Sequence, residues 1–238
     1  MKRVAVIGAG GGIGGAFVDV LRQRDDVARL HACSRTRVPI LDPKVEAHIL
    51  DYNSEDTIAA VAEQVVRSGP LDMVLVATGL LHMDGIMPEK SLRDISSEKF
   101  QTVFAANTVV PALIAKHFLP HLARDTPSTF AAISARVGSI SDNALGGWYA
   151  YRASKAALNM ILKNAAIETQ RRHPLAVVVG LHPGTVDSHL SAPFQRNLNP
   201  DKLFTPVFAA TRLLGVINGL TPSDSGKCFA WDGQVIEP

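Results

Sequence analysis

Cysteine is nearly absent: Cys33 and Cys228 are the only two in 238 residues, and they lie far apart. That spacing builds neither a disulfide framework nor a thiolate zinc site. A reduced, cytoplasmic setting is therefore expected, and no metal site. An excess of charge of either sign is also missing. Lys and Arg number 24 against 22 Asp and Glu, a net charge of +2. Such balance implies no polyanion partner, and nucleic-acid binding is not expected. Long hydrophobic runs are not expected either: no stretch approaches the roughly 20 consecutive apolar residues of a membrane span. Met1-Lys2-Arg3 before Val-Ala-Val-Ile has the look of a signal peptide. Gly8, Gly10, Gly11, Gly12, Gly14 and Gly15 break that run at once, and glycine serves a hydrophobic helix badly. Finally, there is no repeat, no low-complexity linker and no shift of composition. One domain over 1–238 is expected, long enough to bury a sizeable core.

What is there alternates. Val4–Ile7 is a short, fully apolar run, as in a parallel strand buried on both faces. Further strands are predicted at 30–33, 48–50, 73–77, 129–133, 176–181 and 227–230. Helices are predicted at 16–24, 57–67, 100–106, 109–123, 149–171 and 204–214. Alternating strands and helices imply parallel strands joined by right-handed crossovers. The expected fold is thus α/β, a doubly wound parallel sheet of the Rossmann type. The stretch 185–202 has Pro193, Pro200 and weak periodicity, and reads as a mobile loop or short helices forming a substrate lid.

Two local patterns carry chemistry. Tyr151 and Lys155 lie four apart within a predicted helix, so they share a face. A cation beside a phenol favours the phenolate, which lowers a reference pKa of about 10 toward the range of general acid–base work. The second pattern is Gly8-Ala9-Gly10-Gly11-Gly12-Ile13-Gly14, between the first strand and the first helix. Glycine allows a tight turn and close approach of a pyrophosphate, and the helix N-terminus adds N–H donors and a positive dipole end. The second strand ends in Ser34 and Arg35, with Arg37 a further candidate and no carboxylate at that point. An acidic residue there favours NAD, whereas an arginine suits a 2′-phosphate. NADP(H) is expected as the preferred cofactor, with NAD(H) as a possibility. Asp51 and Tyr52 follow the third strand, where they either cap the adenine or, for Asp51, cap the next helix.

Together these residues resemble the short-chain dehydrogenase/reductases over nearly the whole chain. The family pattern Gly-xxx-Gly-x-Gly is met by Gly8, Gly12 and Gly14, and Tyr-xxx-Lys by Tyr151 and Lys155. Asn107 stands for the helix asparagine. Pro183-Gly184, with Val186 and Ser188, matches the segment that touches the nicotinamide end. Leu145 to Asn159 and the ending Trp231-Asp232-Gly233 look like the C-factor and sniffer-type carbonyl reductase branch.

The resemblance implies hydride transfer between NADP(H) and a small or medium carbonyl compound or its alcohol. Tyr151 would be the general acid. Lys155 would hold the ribose and tune Tyr151, and Asn107 would hold a water in a proton relay. A homodimer or homotetramer is also implied, through the helix that carries Tyr151. Its Ala153, Ala156, Ala157, Ala165 and Ala166 would equally suit burial within one chain.

Two departures stand out. Ala135 occupies the usual catalytic-serine place in Ile133-Ser134-Ala135-Arg136-Val137-Gly138, which leaves Ser139 or Ser134 as replacements. The usual Asn-Asn-Ala-Gly is here Val76-Ala77-Thr78-Gly79, so Ala77, Thr78 and Gly79 are left to line the cofactor. These losses also keep open a different class: an NADP(H)-binding regulator with little turnover. His82, Met83, Met87, Trp148, Tyr149, His189, Phe194 and Arg196 are candidates for the substrate mouth and lid. His182 is expected to be structural.

Overall fold

In the computed structural model, which describes residues 1–39, 41–196 and 199–238, the first apolar run forms strand β1 (Lys2–Ile7). It leads through the glycine turn into helix α1 (Gly12–Arg22). The chain continues with β2 (Val27–Ser34), β3 (Val45–Ile49), α2 (Glu55–Val65) and β4 (Met73–Val76). Then come α3 (Ser97–Phe104), α4 (Val110–Phe118), β5 (Ser128–Ile133), α5 (Tyr149–Gln170) and β6 (Ala176–His182). It closes with β7 (Thr185–Val186), β8 (Leu203–Phe204), α6 (Pro206–Gly219), β9 (Cys228–Ala230) and β10 (Val235–Ile236).

The main sheet runs β10-β9-β6-β5-β4-β1-β2-β3, parallel throughout except for the β9–β10 pair. This is the expected doubly wound sheet in one domain. Val4 through Ile7 and Met73 through Val76 are buried on both faces, because helices cover both sides. Phe17, Val18 and Leu21 of α1 meet Ala210, Leu213 and Leu214 of α6 on one face. Ile58 and Val65 of α2, Ile114 and Phe118 of α4, and Leu158 and Leu162 of α5 fill the other. Strand order reverses between β1 and β4, which opens a crevice at their C-terminal ends, the usual ligand position in such sheets.

Helix starts follow the sequence. Ser54 caps α2 by accepting from Thr57 N–H, with Glu55 and Asp56 in the first turn. Ser96 caps α3, and Thr205 caps α6 ahead of Pro206.

The stretch 185–202 holds short 3-10 turns at Ala192–Phe194 and Pro200–Lys202, in line with the short-helix alternative, and it is flanked by β7 and β8, which pair in parallel. Residues 197 and 198 of that stretch lie outside the described residues. The C-terminal hairpin strand β10 is not apparent in the sequence. The stretch Ser97–His121 is a continuous 25-residue helical run that meets membrane-span criteria by length and composition. Its Val103, Val110, Ile114, Ala115 and Phe118 are buried in this fold.

Candidate active site

Gly8 ends β1 with φ +94, and a Cβ there would lie 2.8 Å from the Ala77 carbonyl carbon and oxygen. Gly14 is tighter still, since a Cβ would sit 2.0 Å from Gly8 O. Only glycine lets the turn fold this closely over the strand ends. No side chain caps the α1 N-terminus and no acid stands in its first turn, so Gly12 and Ile13 begin a helix end with free N–H groups and no competing anion. Gly12 lies against the segment after β6, where a Cβ would meet Ser188 Cβ at 3.2 Å. Gly184 (φ +76) turns that segment beneath Phe204, and Val186 is buried with its carbonyl accepting from the Ser188 and Ser191 hydroxyls.

Around this cradle the walls fit a dinucleotide. Ser34 is buried beside Gly10, 3.6 Å from a Cβ there, and donates to Thr36 O. Arg35 is exposed at the same strand end. Thr78 Oγ1 is buried without a hydrogen-bond partner, an orphaned donor on the β4 side of the crevice. Asp51 is exposed, accepts from Asn53 N–H and does not cap α2, a role Ser54 fills. Tyr52 packs against the core, and burial pushes its phenol up to about 12. Pro183 follows β6 directly, and Gly79 follows Thr78 into the reactive end of the crevice.

There the catalytic candidates converge. Tyr151 and Lys155 lie in the first two turns of α5, both buried. Lys155 Nζ donates to Ile133 O at 2.8 Å and lies 5.8 Å from the Tyr151 ring centre. A Cβ on Gly79 would be 3.7 Å from Lys155 Nζ and 3.6 Å from Asn107 Oδ1. Burial raises the Tyr151 phenol to about 12, so the expected downward pull by Lys155 is outweighed here. Burial also lowers the Lys155 ammonium to about 8. At neutral pH the phenol holds its proton and the lysine keeps most of its charge.

Asn107 is fully buried in a π-helical turn, Ala105–Val109. Pro111 has no N–H, so the Asn107 carbonyl has no α-helical donor four residues on. The wide turn accommodates this, with Val110 N–H reaching Ala105 O. The Asn107 side chain accepts from Leu80 N–H (2.7 Å) and donates to Leu80 O (2.8 Å) and Ser154 Oγ (3.1 Å). It clasps the post-β4 loop to α5.

Neither serine takes the place left at Ala135. Ser134 Oγ donates to Asn159 Oδ1 at 2.7 Å, and adjacent strand side chains point oppositely. Ser139 Oγ accepts from Asp142 N–H at 3.1 Å and pairs with Ser141 Oγ, closing a local turn. Ala135 itself packs with Leu81 and Tyr151, bordered by Val137, Trp148, Leu190 and Phe194.

Aromatic rings wall the mouth. Trp148 meets the Tyr151 ring edge-on at 6.2 Å and Phe194 at 5.0 Å. His82 stacks on His189 at 5.2 Å and meets Phe194 edge-on at 5.8 Å. Met83 and Met87 are exposed at the rim. His182 is half-buried with its Nδ1 enclosed, and is lowered to about 4, first by desolvation and then by Arg136, so it is neutral.

Sequence reasoning missed Glu89. Its carboxylate is 2 % exposed and accepts from Ala150 N–H at 3.2 Å, at the dipole-positive start of α5. Its carbonyl accepts from Trp148 N–H. Gly146, Gly147 and Trp148 are all left-handed (φ +65, +66 and +51), easy for the glycines but strained for Trp148, whose N–H the Glu89 carbonyl holds. Nothing in the local sequence around Glu89 signals a partner 61 residues away.

The family model for short chain dehydrogenases matches residues 2–199. The chain is 32% identical over 171 residues to the C-signal of Myxococcus xanthus, covering 72% of this chain and 95% of that one. It is 28% identical over 239 residues to 1-hydroxy-2-glutathionyl-2-methyl-3-butene dehydrogenase of Rhodococcus sp. (strain AD45), covering both in full. Among solved structures, NADPH-bound carbonyl reductase from chicken fatty liver superposes with TM-score 0.86 at 24% identity, covering 100% of this chain and 99% of that one. Carbonyl reductase Sniffer of D. melanogaster superposes with TM-score 0.85 at 20% identity, covering both in full. With a glycine cradle at the sheet's switch point and the match over most of its length, this chain belongs to the short chain dehydrogenase family of oxidoreductases.

Proposed function

We propose that the chain is an NADPH-dependent reductase of small or medium carbonyl compounds with an apolar or aromatic flank. The observation that carries this reading is the convergence of Tyr151, Lys155 and Gly79 at the mouth of the glycine cradle. A reduced nicotinamide held there would supply the hydride for the carbonyl carbon. Gly8, Gly12, Ile13 and Gly14 would hold the pyrophosphate, with Thr78 Oγ1 a spare donor on the opposite wall. Pro183, Gly184, Val186 and Ser188 would flank the nicotinamide end, and Arg35, exposed at the end of β2, would meet a 2′-phosphate.

Tyr151, protonated at neutral pH, gives its proton to the developing alkoxide oxygen, which suits the reductive direction. Lys155 supplies positive charge beside that oxygen. The Asn107 side chain is spent on Leu80 and Ser154, so its carbonyl, not its amide, is the group left for a proton relay. Trp148, Phe194, His82 and Leu190 give the substrate's flank an apolar wall and exclude water. The names of the relatives, a carbonyl reductase and a hydroxy-compound dehydrogenase, agree with this chemistry.

The test is initial rates across a carbonyl panel with NADPH and with NADH. Turnover is expected, with NADPH preferred, and Arg35→Ala lowers kcat/KM for NADPH about tenfold or more while leaving NADH unchanged. Equal or better turnover with NADH refutes the cofactor assignment. NADPH binding without turnover of any carbonyl refutes the reductase reading and favours the regulator.

A further inference from the structure

A second cluster of ligating side chains lies on the outer edge of the sheet, apart from the catalytic crevice. Strands β2 and β3 pair in parallel with His31 opposite Glu46 and Cys33 opposite His48. This register brings two imidazoles together although they are 17 residues apart. His31 Nδ1 and His48 Nε2 face each other at 3.0 Å. The Glu46 carboxylate covers both, with Oε2 3.8 Å from His31 Nδ1 and Oε1 3.8 Å from His48 Nε2. Both imidazoles are almost wholly buried, at 1 % and 6 % exposure, whereas Glu46 is open to solvent.

Two ring nitrogens at this distance share at most one proton, so one lone pair faces the other's N–H. The His31 Nε2 atom is buried with no hydrogen-bond partner. A cation between the facing nitrogens would replace the single shared proton and use both lone pairs. The geometry suits one. A tetrahedral ion with ligand bonds of about 2.0–2.1 Å separates its ligand atoms by about 3.3–3.4 Å. The two nitrogens stand 3.0 Å apart, each carboxylate oxygen is 3.8 Å from one of them, and one ligand atom from each residue falls within 4.8 Å of the others, so a turn of the exposed Glu46 carboxylate with a small parting of the rings closes the site. His48 Nδ1 is directed at Gln64 Oε1, 3.4 Å away on α2, the outer contact that orients a ligating histidine.

We propose that His31 Nδ1, His48 Nε2 and the Glu46 carboxylate bind one divalent transition-metal ion of the Zn²⁺ class, with water as the fourth ligand. Two imidazoles and one carboxylate favour Zn²⁺, Ni²⁺ or Cu²⁺ over Mg²⁺ and Ca²⁺, which prefer all-oxygen shells. A cleft of about 220 Å³ lined by Arg29, His31, Glu46, Gln64, Arg67 and Ser68 gives the ion entry and leaves room for the water. Arg29 and Arg67 are exposed, so solvent screens their opposing charge. The bound ion pins the edge strand β3 to β2 and acts as a structural staple.

The experiment is calorimetric titration of the untagged, chelator-treated full chain with ZnCl₂ and, separately, with MgCl₂. One Zn²⁺ per chain with Kd of about 10 µM or tighter is expected, and no Mg²⁺ binding. Zinc at about a hundred times Kd should raise Tm by about 5–10 °C. Glu46→Gln, at an exposed position, should weaken Zn²⁺ about tenfold or more, and His48→Ala should abolish stoichiometric binding. Where His48→Ala does not fold, Glu46→Gln decides. Absence of binding at 100 µM Zn²⁺, or wild-type affinity in Glu46→Gln, overturns the proposal. The second result would move the bound ion to another pair, such as His82 and His189.

Discussion

Restoring a hydroxyl at Ala135 should accelerate this enzyme. Ala135 has extended backbone (φ −153, ψ 146), 9 % exposure, and packs directly with Tyr151 and Leu81. Ser134 Oγ is engaged with Asn159, and Ser139 Oγ is drawn into the local turn by Ser141 Oγ and the Asp142 N–H. A donor aimed at a developing oxyanion is worth about 10²–10³ in kcat, or about 2.7–4 kcal/mol. In Ala135→Ser the new Oγ lies on the Tyr151 side of the strand, where that charge forms. Its cost is a hydroxyl in an apolar cluster, about 1–3 kcal/mol of folding stability when unpaired. At about 2–4 °C per kcal/mol for a chain of this size, Tm should fall by about 2–12 °C. Pairing with the Tyr151 hydroxyl puts the cost at the low end. The assay is kcat for NADPH oxidation with a carbonyl substrate, alongside Tm. A rise of at least about tenfold in kcat is expected. A folded Ala135→Ser with unchanged or lower kcat would refute the reasoning, since the site would then have no use for the donor.

Further tests follow from the same geometry. Lys155 is lowered to about 8 by burial, so it is cationic below that pH and neutral above it. kcat/KM for reduction should therefore be level near pH 6–7 and fall as pH rises through about 8, a profile read with pH-independent substrates. A flat profile to pH 10 contradicts a role for that charge. Tyr151, at about 12, should add no fall of its own in this range. Phe194→Ala removes the ring set 5.0 Å from Trp148 and 5.8 Å from His82. KM for an aryl ketone should rise about tenfold while kcat changes less; a KM within about twofold of wild type would remove Phe194 from the substrate wall.

Patterns local in sequence were legible. Val4–Ile7, the glycines after it and the Tyr151–Lys155 pair announce a strand, a phosphate turn and a shared helix face because their physics acts over a few residues. The sheet followed from the alternation of elements. What depended on distant contacts was not legible. Glu89 clasps the start of α5 from 61 residues away. The His31–His48 pair exists only through the register of β2 on β3, so cysteine counting passed over it. The two-residue strands β7 and β8 are too short to show periodicity. The Tyr151 phenol shows the limit most plainly. Its neighbour Lys155 was visible in sequence, but the burial that outweighs that charge was not.

The most direct measurement is single-turnover hydride transfer from saturating NADPH to a carbonyl substrate, in wild type and in Tyr151→Phe, with NADPH affinity measured in parallel. A slowing of about 10²–10⁴ in Tyr151→Phe, at NADPH affinity within about threefold of wild type, is the expected result. Transfer at wild-type speed in that variant would show that the proton comes from elsewhere.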